Sequence, residues 1–255
     1  MLSPIDIYTR YIRSKEIEHN EYRKSASKGR YSASGAGLCK RKQHYLIRGE
    51  DKKEISVPIL KRFRLGTIVG KDFDKAMDWY KKQSDCKYKI YSEKAIKLNR
   101  LNLHGHFDLL MVDNENNGYL YDYKTAKLGA WQMMFGNKTF NTSFNGSPSE
   151  VKDNYEYQIG TYAFMLEEAK ELCDSIVHME LIYYKKDDSV IKTKVVPRDY
   201  VDLAEMYWTE VLEQKDNEEP PAIELGKIAN VPTYSWECKY CDYVKICDSH
   251  YKPKG

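Results

Sequence analysis

Residues 105–127, GHFDLLMVDNENNGYLYDYKTAK, constrain the fold of this chain more than any other stretch. Two β-like runs, 106–112 and 119–124, flank the turn-rich segment 113–118. Alternating apolar residues on either side of an Asn-Gly pair specify a hairpin. Asp122 and Lys124 stand two apart, so on a strand their side chains leave one face. The hairpin carries Asp108 across to meet them. Two carboxylates and an ammonium on one patch of sheet can hold a hard cation such as Mg²⁺, and the lysine can position a water for attack on phosphate. The same residues also suit cross-strand ion pairs worth a fraction of a kcal/mol. The hairpin alone leaves both readings open.

At 255 residues the chain can bury a substantial core, and its 41 Lys+Arg against 38 Asp+Glu exclude a strongly basic nucleic-acid binder while allowing local patches. The 22 tyrosines suit base stacking in places but ordinary half-buried packing in most. No run approaches the length of a membrane span, and no charged-then-apolar leader opens the chain. These features point to a soluble, cytoplasmic protein with no membrane partner. In that setting the six cysteines, at 39, 86, 173, 238, 241 and 247, favour metal binding over disulfides.

Residues 2–24 read as a helix capped by Ser3, with Pro4 in its first turn and Ile5, Ile12 and Ile17 as buried positions. Residues 25–37 read as a loop and lead to a short helix beginning near Ser34. Its basic run, 40–42, suits either a phosphate backbone or a solvated face. A longer helix is expected over 58–82, burying Leu60, Phe63, Leu65, Ile68, Phe73, Met77 and Trp79. Then comes a strand over 87–98 carrying Glu93. Residues 128–150 read as a loop or flap. A helix over 151–172 places Gln158 and Tyr162 on one face, which also suits a core helix with a satisfied amide. Strands at 178–185 and 190–196 and a helix over 197–215 complete the pattern.

The tail holds Cys238, Cys241 and Cys247. Three thiols so close together need a fourth ligand, and Cys39 is the candidate. A Cys₄ zinc site and an iron–sulfur cluster are both open. The long gap back to Cys39 favours the cluster, since structural zinc more often draws on two close pairs. Cys86 and Cys173 read as small buried residues.

Together these pieces resemble the RecB-type nucleases of the PD-(D/E)XK superfamily, and more narrowly the iron–sulfur branch that includes the AddB nuclease domain and the CRISPR-associated exonuclease of Cas family four. The resemblance runs from about Ser32 to Cys247. The family's GxxD falls on Gly105-His106-Phe107-Asp108, its (D/E)xK on Asp122-Tyr123-Lys124, and its upstream acid on Glu93. Its QxxxY falls on Gln158-Ile159-Gly160-Thr161-Tyr162, and its N-terminal serine–cysteine pattern on Ser32, Ser34, Cys39, Arg41 and Tyr45. One departure stands out. The family's helix histidine, in a G-x-x-x-H setting, meets Gly66-Thr67-Ile68-Val69-Gly70, which leaves one or two catalytic metals open, with Asp72 as a nearby substitute.

The resemblance implies an α/β, restriction-endonuclease-like core with a central mixed β-sheet flanked by helices, plus an iron–sulfur lobe from the N- and C-terminal segments. That is one nuclease domain over 1–255, its core at about 58–215 and its lobe at about 25–50 and 220–255. It implies a metal-dependent DNA exonuclease acting on single strands or free ends. Asp108, Asp122 and the Tyr123 carbonyl would hold Mg²⁺ or Mn²⁺, and Glu93, Lys124, Gln158 and Tyr162 would complete the catalytic set. Cys39, Cys238, Cys241 and Cys247 would hold a structural 4Fe–4S cluster, with zinc as the alternative. Partners in recombination, repair or CRISPR adaptation fit such an enzyme. The competing readings are a catalytically weak DNA-binding scaffold on the same fold and a zinc-stapled binding module.

Overall fold

The computed structural model describes residues 3–26, 29–136, 153–221, 237–238 and 241–247, with the side chains of 19–26 and 133 left aside. The elements run α1 (Pro4–Ala26), β1 (Tyr31–Ser32), a 3-10 turn (Ala33–Gly35), α2 (Lys40–Arg48), α3 (Val57–Tyr80), β2 (Lys89–Leu98), β3 (Leu103–Val112), β4 (Asn117–Ala126), α4 (Leu128–Phe135), α5 (Asn154–Ala169), β5 (Ser175–Lys185), β6 (Ile191–Val195) and α6 (Asp199–Glu213). The strands form one mixed sheet in the order β1-β3-β4-β5-β6, with β2 also paired to β3. The hairpin supplies β3 and β4, and β4 runs parallel to β5 along its whole length. A parallel neighbour requires a crossover, and α4 and α5 lie in that connection.

Side-chain alternation along β4 divides the two layers. Leu120 and Asp122 are buried on the face that carries α5, while Tyr123 stacks on Phe73 of α3 across the other, with ring centroids 4.5 Å apart. Helix α5 is buried almost all round, from Tyr157 to Leu166 with little exception, because the sheet lies on one side and α6 on the other. Trp208 of α6 donates its indole N–H to Thr161 Oγ1 at 2.9 Å, which satisfies both polar atoms inside the core. The helices touch closely at Gly160, where an added Cβ would stand 2.2 Å from the Tyr200 carbonyl oxygen.

The structure corrects several local expectations. Ser3 and Asp6 do form a reciprocal cap on α1, and Ile12 is buried, but Ile5 and Ile17 are exposed. On α3 only Leu60 is buried, and Phe63, Leu65, Ile68 and Trp79 face outward, because the helix rests on the sheet along one narrow strip. The expected loop over 25–37 contains β1, whose Tyr31 is wholly buried beside Trp208. The expected flap opens as helix α4, and its remainder from residue 137 lies outside the described residues.

The basic run at 40–42 is spent internally rather than offered to phosphate. Lys40 pairs with Glu210, and Lys42 pairs with Asp242 at 3.2 Å. Arg41 is buried and donates to the Pro221 carbonyl at 3.0 Å. The tail docks on α2 through the Lys42–Asp242 pair and through Tyr243 against Tyr45, and on the segment after α2 through the Lys53 N–H, which donates to the Asp242 carbonyl. No helix among the described residues is long and apolar enough to cross a membrane.

Candidate active site

The hairpin strands pair only from Leu109/Tyr121 to Val112/Gly118 and splay apart beyond. Splaying frees the Tyr123 N–H from the ladder, and it donates instead to Asp108 Oδ2 at 2.6 Å. On the other side of β3, register sets Glu93 opposite Asp108, between the pairs Ser92↔Leu109 and Lys94↔Phe107. That pairing alone is missing from the ladder, and Glu93 has φ +48°. Left-handed backbone costs a non-glycine residue about 1–2 kcal/mol, and such strain gathers at functional positions.

Lys124 organises the polar contacts. Its Nζ donates to Asp122 Oδ1 at 2.7 Å, contacts Oδ2 as well, and donates to Gln158 Oε1 at 3.2 Å. Gln158 is in turn hydrogen-bonded to the Tyr162 side chain. Lys124 Nζ also lies 4.7 Å from the centre of the half-exposed Tyr155 ring. The Asp122 and Lys124 side chains are 2% and 14% exposed, so water screens this ion pair little. Gly105 explains itself here: a Cβ on it would stand 2.7 Å from Tyr162 Cε1, so the strand must be bare for the ring to seat. Glu93, Asp108, Asp122, Lys124, Gln158 and Tyr162 are thus brought into one neighbourhood.

The electrostatics are those of crowded carboxylates. Burial, and then the Asp122 charge, raise the Asp108 carboxyl well above its ordinary value. Burial and the charges of Asp74 and Asp122 raise Glu93. Burial pulls Lys124 down, but Asp122 and Asp108 outweigh it and keep the ammonium charged. Lys124, with Lys71 acting on Glu93 from α3, faces Asp108, Asp122, Glu93 and Asp74, and that carboxylate surplus suits a hard divalent cation. Among the described residues no group of three or more His, Cys, Asp or Glu closes to cation-holding geometry: Lys124 engages both Asp122 oxygens, and the Tyr123 N–H engages Asp108 Oδ2.

Sequence reasoning missed Asp74 and named Asp72, which is exposed. Asp74 lies four residues past Gly70 on α3, next to Phe73, and its buried Oδ1 makes no hydrogen bond. Helical spacing from Gly70 was the signal that could have found it. Tyr155, three residues before Gln158 on α5, is a further neighbour of Lys124.

Cys39, at the N-cap of α2, acts electrostatically on Cys238 together with Cys241 and Cys247; none of the four is in a disulfide, and they too do not close to cation-holding geometry. Burial, and then the neighbouring Cys39, Cys247 and Cys241, push the Cys238 thiol up to about 11. Cys173 is buried as expected, and Cys86 is partly so.

A family model described as the PD-(D/E)XK nuclease superfamily matches residues 68–248. A solved structure described as SSO0001 superposes with a TM-score of 0.52 at 14% identity, covering 95% of this chain and 96% of that one. An alkaline exonuclease from Laribacter hongkongensis gives a TM-score of 0.45 at 13% identity, covering 78% of this chain and 93% of that one. No curated protein matches the chain in sequence.

Proposed function

Because the chain belongs to the PD-(D/E)XK nuclease superfamily, we propose that it hydrolyses phosphodiester bonds of DNA at the Asp108–Asp122–Lys124 site, as an exonuclease on single strands or free ends. The observation that carries this reading is the Lys124 ammonium, held between Asp122 and Gln158 beside Asp108. Members of this superfamily generally use Mg²⁺ or Mn²⁺, which when bound acidifies a water and neutralises charge at the attacked phosphate. Asp108, Asp122 and the Tyr123 carbonyl are the groups that would hold it, and the carboxylate surplus fits that role.

The protein's own groups do the rest. Lys124 orients the attacking water and stabilises charge growing on the phosphate oxygens. Gln158 fixes the Lys124 Nζ, and Tyr162 fixes Gln158, so the ammonium is aimed before substrate arrives. Glu93, opposite Asp108, adds a carboxylate that can accept a hydrogen bond from water. Incubation of labelled single-stranded DNA with Mg²⁺ or Mn²⁺ tests the reading. Stepwise shortening supports it, and intact DNA at every cation concentration contradicts it.

We further propose that Cys39, Cys238, Cys241 and Cys247 hold a structural 4Fe–4S cluster, with zinc as the alternative occupant. Four cysteines outside any disulfide, three of which act on the fourth, the Cys238 thiol, in two docked segments support this reading.

A further inference from the structure

The side of β4 that packs on α3 is lined unevenly, with acids at one end and a second group of side chains at the other. Helix α3 runs antiparallel to β4: Phe73 stacks on Tyr123, and Gly66 lies against Thr125, where an added Cβ would be 3.4 Å from Oγ1. One helical turn before Gly66 advances about 6 Å to Arg62, and two strand residues past Thr125 advance about 6.6 Å to Lys127. Next to β4, Ala126 pairs with Lys185, and the Lys186 N–H donates to the Ala126 carbonyl at 2.9 Å. Lys127 and Lys186 therefore follow side by side from adjacent strand ends, with Arg62 above them. We propose that Arg62, Lys127 and Lys186 form a subsite for a phosphate of the DNA strand cleaved at Lys124, reached over the end of the sheet.

Three observations carry this. Lys127 and Arg62 are exposed and Lys186 is half-buried, so a polyanion can reach them. Burial, then Lys127, then Arg62 lower the Lys186 pKa, so the three cations share one field. Among the described residues no ion pair engages their charged ends. The nearest acid in the chain, Asp187, turns its Oδ2 to the Leu128 N–H at 2.8 Å instead. By contrast Lys40, Lys42, Lys124, Lys185 and Lys194 all have carboxylate partners. Unneutralised cations held together are what a phosphate replaces its counterions with. Lys127, in step with Tyr123 and Thr125, leaves the sheet on the α3 face, opposite the face of Asp122 and Lys124, so a strand reaches both by passing over the end of β4.

The inference rests on the nuclease reading for its choice of ligand, and its test separates the two. Single-stranded oligonucleotides bearing 5′-phosphate or 5′-hydroxyl ends are titrated in EDTA by fluorescence anisotropy over a series of salt concentrations. The variant carries Arg62→Gln, Lys127→Gln and Lys186→Gln. A control of equal charge carries Lys87→Gln, Lys89→Gln and Lys97→Gln on β2 and the segment before it. The triple variant is expected to bind at least about tenfold more weakly, and the control to match wild type. Its salt slope should be shallower by about 0.7 for each phosphate that is no longer neutralised. In cleavage assays with Mg²⁺ it should raise KM and keep kcat.

Weakening confined to phosphorylated ends assigns the subsite to a terminal phosphate, and equal weakening with both assigns it to an internal diester. Wild-type affinity and slope in a natively folded triple variant would overturn the proposal, and Lys127→Gln alone replaces the triple if circular dichroism shows that it is unfolded. Binding weakened as expected in a protein that never cleaves DNA would keep the subsite and sink the nuclease reading. A wild-type protein that binds neither oligonucleotide would overturn both.

Discussion

Lys124 does two jobs at once, and its removal should show both. Lys124→Ala takes away the ammonium proposed to face the reacting phosphate, so cleavage should fall at least about 100-fold. It also strands the buried Asp122 and Asp108, so urea unfolding should show a loss of about 3–5 kcal/mol. Activity within tenfold of wild type in a folded variant would contradict the assignment. Asp108 gives a pH signature in EDTA. Burial and Asp122 raise its carboxyl above the unfolded value, so between those two values the native state binds more protons than the unfolded state. Stability should therefore fall as pH rises from about 4 upward, and Asp108→Asn should flatten that fall in thermal melts. A melt series equally steep in the variant would assign the fall to other groups. Asp74, with its unpartnered buried oxygen, should matter to cation affinity rather than to chemistry. Asp74→Asn is expected to raise the Mg²⁺ concentration for half-maximal cleavage several-fold with little change in the saturated rate. An unchanged half-point would place Asp74 outside the cation's reach.

Element by element, legibility followed periodicity and length. The hairpin could be read because a strand's two-residue repeat and an Asn-Gly turn fix register, and register fixes which carboxylates meet. Helix α5 was equally plain, and Gln158 and Tyr162 share the face that the three- and four-residue spacing implies. Strand β1 was invisible because two residues carry no period, and Tyr31 is buried by β3 and Trp208, elements distant in sequence. On α3 the apolar residues promised a broad buried side, yet Phe63 is 59% and Trp79 64% exposed. Hydrophobicity cannot say how wide a strip the sheet will cover. Pairing of the basic run 40–42 was hidden for the same reason, since its acids lie at 210 and 242. Among the described glycines, an added Cβ would meet another element most closely at Gly160, against the Tyr200 backbone. Gly160→Ala should cost about 1–3 kcal/mol in denaturant unfolding, and a neutral result would mean that α6 shifts freely on α5.

At the scale of the whole molecule, Lys42 and Tyr45 of α2 meet Asp242 and Tyr243 of the tail, and the proposed nuclease site lies between those segments in the sequence. If Cys39, Cys238, Cys241 and Cys247 share a cluster, each closes the same long loop, and metal binding there is coupled to folding. Protein purified anaerobically from iron-supplied cells should carry iron and sulfide with broad visible absorption. Cys39→Ala should lose both and melt at lower temperature, while Cys86→Ala keeps them. Stoichiometric zinc without iron would replace the cluster and leave the nuclease site standing. The central claim is that the hairpin carboxylates and Lys124 cut DNA. It is tested most directly by the rate at which end-labelled single-stranded DNA is shortened by wild-type protein and by Asp122→Asn, side by side in Mg²⁺ and in Mn²⁺. Shortening by wild type, reduced by at least about 100-fold in a folded Asp122→Asn, is the expected result. Equal rates in the two proteins would contradict the account.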